Sequence, residues 1–127
     1  MAAKPIREGF QAVIPFLSVQ RAASLVEFLS AAFGAQETFR SKTGTHFEVK
    51  IGDSMVMLGD VGERPPAIGQ LFMYVDDADA LYRRAIQAGA TSLMEPTDRG
   101  WGEDEKTMRA AAVKDPAGNS WFLAGPK

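Results

Sequence analysis

Cysteine is absent from this 127-residue chain, which excludes disulfides, thiolate metal centres and a cysteine nucleophile. Histidine occurs once, at His46, so any imidazole chemistry has to run through that residue. Basic residues never cluster beyond two neighbours and the formal net charge is -2, which argues against a nucleic-acid partner. No run of 18 apolar residues occurs, and "MAAKPIREGF" lacks the apolar stretch of a secretory leader. The expectation is a cytoplasmic protein with no membrane partner. Hydrolase and nucleotide signatures are missing too: there is no GxSxG elbow, and "GDVGERP" lacks the Lys-Ser/Thr pair and helix of a phosphate loop.

What the chain does have is a globular composition, 46% hydrophobic and 24% charged, and enough length for one domain with a real core. Residues 11 to 19, "QAVIPFLSV", read as a strand. Leu25, Val26, Phe28, Leu29, Ala32 and Phe33 then fall on a 3.6-residue stripe, and Gly34 marks the stop of a helix. Strands are expected over residues 36–40, in "THFEVKI" and in "MVMLG", and "DVGERPPAIG" is a linker. The order then repeats. "QLFMYV" is a strand, Asp76 or Asp77 caps a helix carrying Leu81, Ala85 and Ile86, and residues 91–94 make a short strand. "PTDRGWGEDEK" reads as a loop, followed by strands in "TMRAAAVKD" and "SWFLA". Asp115-Pro116-Ala117-Gly118 between them suits a tight turn. Val19 and Val75 lie 56 residues apart and Gly34 and Gly89 lie 55 apart, so two β-α-β-β-β units follow one another.

An amphipathic helix covers one face of a sheet and leaves the other for solvent or ligand. Alternation along the strands assigns Phe16, His46, Glu48, Met55, Met57, Gln70, Phe72, Tyr74 and Phe122 to that second face. A Met- and aromatic-lined surface with few polar groups suits a mid-sized, partly apolar organic ligand; the alternative is that these residues pack one another or a second subunit. Trp101, between two glycines, either folds over a planar ligand or anchors its loop. Glu103, Asp104 and Glu105 beside it read as a solvated charge run. His46 and Glu48, two apart on one strand, form a candidate proton-transfer pair or an ordinary hydrogen-bonded pair.

The segments "PFLSVQRAASLVEFLSAAFGA", "HFEVKIGDSMVMLGD", "MYVDDADALYRRAIQAGA" with "LMEP", and "VKDPAGNSWFLA" together resemble the vicinal oxygen chelate superfamily. That group includes glyoxalase I, extradiol dioxygenases, fosfomycin-inactivating transferases and bleomycin-resistance proteins. "RSKTGTHFEVKIGDSMVML" and "GWG" are similar to a widespread bacterial branch of small, mostly uncharacterised members. The resemblance implies an α+β fold: two tandem βαβββ modules, a U-shaped, curved mixed sheet around a cavity, and helices on the outer face. Module one would span about residues 9–60, the linker 61–68 and module two about 69–125 of a single domain over residues 1–127. It also implies a homodimer.

Metal-dependent members bind a divalent ion through four residues, usually His, Glu or Gln. The matching positions here hold Ile14, Met57, Gln70 and Phe122, of which only Gln70 offers a donor. No metal and no cofactor are therefore expected. The resemblance then implies a protein that binds a small, partly apolar or aromatic molecule, an antibiotic among the candidates. The alternative is a lyase, isomerase or transferase that is metal-free or uses an atypical metal at His46 and Glu48.

Overall fold

The computed structural model describes residues 5–101 and 106–127, with the side chains of Trp101, Lys106 and Thr107 outside that description. The first module contains β1 (Phe16–Val19), α1 (Ala22–Phe33), β2 (Gln36–Arg40), β3 (His46–Ile51) and β4 (Ser54–Asp60). The second contains β5 (Gln70–Tyr74), α2 (Ala78–Gln87), β6 (Thr91–Trp101), β7 (Lys106–Lys114) and β8 (Ser120–Pro126). The strands form two four-stranded sheets in the same order, β1-β4-β3-β2 and β5-β8-β7-β6. Each has a parallel pair, β1–β4 and β5–β8, and its other pairs are antiparallel. The expected α+β fold of two βαβββ modules is what the chain adopts.

Helix boundaries follow local chemistry. Arg21 at the head of α1 is left-handed (φ 57°) and gives no side-chain cap. The Asp60 carboxylate, from the end of β4, instead accepts the Ala22 N–H at 3.0 Å, so the first module closes on its own helix start. Gly34 ends α1 at φ 71°, a conformation glycine adopts without strain. Asp77 caps α2, accepting the Ala80 N–H at 3.0 Å.

Leu17, Val19, Leu25, Leu29, Phe33, Phe47, Val49 and Leu58 of the first module share one core with Val113, Trp121 and Leu123 of the second. The Phe33 and Trp121 rings meet at 5.1 Å between centroids. The helices also touch each other, with Arg84 Nη2 donating to the Ala31 carbonyl at 3.1 Å. Each sheet therefore has one helix-covered face and one helix-free face. Among the described residues no helix is long and apolar enough to cross a membrane.

Two boundaries differ from expectation. β1 starts at Phe16 and not at residue 11, and Val13, within the expected strand, is 81% exposed. Pro15 explains the late start, because it has no N–H for the ladder; only its carbonyl takes part, accepting the Met57 N–H at 2.9 Å. The segment expected as a loop after Met94 continues β6 as far as Trp101, paired with β7 from Thr97↔Ala110 to Trp101↔Lys106. Pro96 is accommodated because β6 is an edge strand whose register shifts between Met94 and Thr97. Glu103, Asp104 and Glu105 lie outside the described residues, as does the side chain of Trp101.

Candidate functional site

The helix-free face of the first sheet is built by strand register. Phe16 pairs with Met57, Met57 with Glu48, Glu48 with Phe39, and His46 with Gly59. Side chains directly opposite on paired strands share a face, so these groups stand together. Phe16 stacks on His46 at 5.9 Å and 29° between planes, and Phe39 flanks the same imidazole at 6.0 Å. Gly59 makes room for the first ring, since a Cβ there would lie 3.0 Å from Phe16. His46 Nε2 lies 3.1 Å from Glu48 Oε2.

Glu48 is only 3% exposed, although its strand position faces away from α1. What covers it is the segment preceding β1. Arg7 Nη1 and Nη2 donate to the two Glu48 oxygens at 3.1 and 2.9 Å, a bidentate pair. Arg7 also lies over the Phe10 ring at 4.2 Å. Four residues on, the Gln11 amide brackets Met55, donating to its carbonyl at 2.7 Å and accepting its N–H at 3.1 Å. The Arg7 hydrogen bonds hold the Glu48 carboxyl below the usual carboxylate range; burial opposes this, and His46 adds to it. Glu48 is thus a fixed anion, already committed to a cation. Neither Arg7 nor Gln11 was foreseeable, because no local pattern says that residue 7 reaches residue 48.

The remaining expected site residues lie on the second sheet. Gln70, Phe72 and Tyr74 of β5 pair with Ser120, Phe122 and Ala124 of β8, which puts Phe72 beside Phe122. Phe72 and Tyr74 meet edge to face at 5.1 Å and are 47% and 78% exposed. A depression of about 560 Å³ includes both, with Phe33 and the β3–β4 turn at Asp53 and Ser54. The structure therefore sorts the expected residues into two groups. Phe16, His46, Glu48, Met55 and Met57 share one face; Gln70, Phe72, Tyr74 and Phe122 share another.

The donor set does not suit the family's divalent ion. At the four matching positions Ile14 and Phe122 carry no donor atom and Met57 offers only a thioether, which leaves Gln70. Among the described residues no three His, Asp or Glu side chains converge. His46 and Glu48 offer two donors, too few for a closed site, and both Glu48 oxygens already face Arg7.

The family model for the Glyoxalase/Bleomycin resistance protein/Dioxygenase superfamily matches residues 11–123. An uncharacterised protein of Mycobacterium bovis is 33% identical over 131 residues, covering 91% of this chain and 83% of the relative. The crystal structure of TioX from Micromonospora sp. ML1 superposes with a TM-score of 0.77 at 22% identity, covering 92% of this chain and 99% of that one. A glyoxalase/bleomycin resistance protein/dioxygenase family enzyme from Burkholderia phytofirmans PsJN does so at 0.70 with 21% identity, covering 88% and 95%. At those identities the structures speak for the fold alone. With its βαβββ modules, strand orders and family match, the chain belongs to the Glyoxalase/Bleomycin resistance protein/Dioxygenase superfamily.

Proposed function

We propose that this protein binds a small, partly aromatic organic molecule on the helix-free face of its first sheet, without the metal that other family members use. One observation carries the reading: an imidazole flanked by two aromatic rings stands beside a buried carboxylate, on a face to which the segment before β1 is hydrogen-bonded. The rings and Met57 offer a flat apolar surface, and the polar pair fixes orientation. Antibiotics with planar rings are among the molecules that such a surface suits. A homodimer belongs to the same proposal, since the exposed Phe72 and Tyr74 give a second copy an apolar surface to cover.

The His46–Glu48 contact favours a second reading, in which His46 moves a proton in a lyase, isomerase or transferase reaction. Glu48 would orient the imidazole and would not act as base, because Arg7 holds it ionised. A thermal-shift panel of planar aromatic antibiotics and simpler aromatic compounds, with elemental analysis and sedimentation on the same sample, tests the proposal. Binding is expected to raise the melting temperature of a dimer without stoichiometric metal, and His46→Ala is expected to shrink that rise. No rise across the panel, or stoichiometric zinc, nickel, manganese or iron lost in His46→Ala, would contradict it.

A further inference from the structure

The proposed binding face carries its own cation, and this identifies the class of ligand. Glu48 is 3% exposed and ionised, and a buried carboxylate without a partner is strongly destabilising. Its partner Arg7 does not come from the sheet. It comes from a segment outside any helix or strand in which residues 5–9 are exposed and Phe10 and Gln11 are half-buried, and its own side chain remains 64% exposed. That segment is held to the face by Arg7 on Glu48 and by Gln11 on the Met55 backbone. Such a clamp belongs to no helix or strand, so it can lift without breaking a strand ladder, whereas the anion beneath sits on β3. Lys50, the other cation on this face of β3, is exposed.

From this we infer that the face selects an organic cation, an amidinium or guanidinium joined to a flat apolar body, and that Arg7 is an internal stand-in for it. A planar cation reproduces the two hydrogen bonds to Glu48, and its ring lies against Phe16, Phe39 and Met57. A neutral or anionic ligand that displaced the segment would leave Glu48 buried without its bidentate cation and with only the His46 imidazole beside it. One that did not displace it would find Glu48 occupied. Ligand and Arg7 therefore compete for one carboxylate. This inference rests on the binding reading above and adds the charge of the ligand.

Benzamidine and its neutral isostere benzamide, titrated by calorimetry against the full chain, separate the two ideas. Arg7→Ala removes the competitor and is expected to tighten benzamidine binding by about tenfold, a difference of about 1.4 kcal/mol. Benzamide is expected to be indifferent to that change. Adding Glu48→Gln to Arg7→Ala is expected to abolish the preference for the cation. If Arg7→Ala does not fold, Arg7→Lys keeps a charge, loses the bidentate fork, and is expected to tighten benzamidine by a smaller factor. Benzamidine binding no tighter in the folded Arg7 variant than in the parent overturns the inference. If both compounds bind alike, the ligand charge is wrong and the binding face stands; if neither binds and the antibiotic panel is also silent, the face itself falls.

Discussion

Glu48 shows how a single residue carries two meanings. Strand alternation assigns it to the helix-free face, and the structure places it there, yet it is among the most buried charged groups. The missing information was Arg7, 41 residues away, whose arrival no periodicity encodes. The pairing has a pH signature. Because Arg7 lowers the folded-state pKa of Glu48, the pair's contribution is fully present above the ordinary carboxylate pKa and is lost as pH falls through the folded value. Urea unfolding of the parent and Arg7→Ala should therefore show a stability gap at pH 7 that narrows by pH 3. A gap of the same size at both values would mean that Arg7 contributes through packing and not through the ion pair.

At the scale of an element, the Asp115–Gly118 turn is the clearest case of sequence dictating structure. Its closing bond runs from the Gly118 N–H to the Asp115 carbonyl at 3.0 Å, with Gly118 at φ 99°. The buried Asp115 carboxylate does more than open the turn. It accepts the Ala117 and Asn119 N–H groups at 2.8 and 3.0 Å, the Asn119 amide at 3.2 Å and Trp121 Nε1 at 2.8 Å. Asn119 Oδ1 in turn accepts the Gly69 N–H at 2.8 Å, tying β8 to the residue before β5. Four donors lose one acceptor in Asp115→Ala, which is expected to cost about 3 kcal/mol by urea unfolding. A loss near zero would show that water replaces the carboxylate. The proline at 96 misled where the one at 116 informed. Both sit in turn-like sequence, but β7 supplies a ladder that carries β6 past Pro96, and only tertiary pairing reveals that.

For the whole molecule, the repeat was legible because each helix, stop and strand recurs at nearly constant spacing, and the sheets repeat the same order. Face assignment was legible for β3, β4, β5 and β8, where the core residues Phe47, Val49, Val56, Leu58, Trp121 and Leu123 fall where period two places them. How the two free faces are disposed was not legible. Alternation says which side chains share a side of one sheet and nothing about how two sheets meet: Phe16, His46, Glu48, Met55 and Met57 stand on the first sheet, and Gln70, Phe72, Tyr74 and Phe122 on the second. The family fold is therefore readable from pattern, while the arrangement of the first sheet's free face depends on one long-range ion pair.

If the first sheet's free face binds the ligand, as proposed, its methionines report the binding directly. Met55 and Met57 belong to that face, whereas Met73 packs against the core. Carbon-13 labelling of the methionine methyl groups, with assignment by Met→Leu variants, allows titration with the strongest ligand from the thermal-shift panel. The prediction is saturable movement of the Met55 and Met57 signals with Met73 unchanged. Saturable binding that leaves Met55 and Met57 where they were would contradict it.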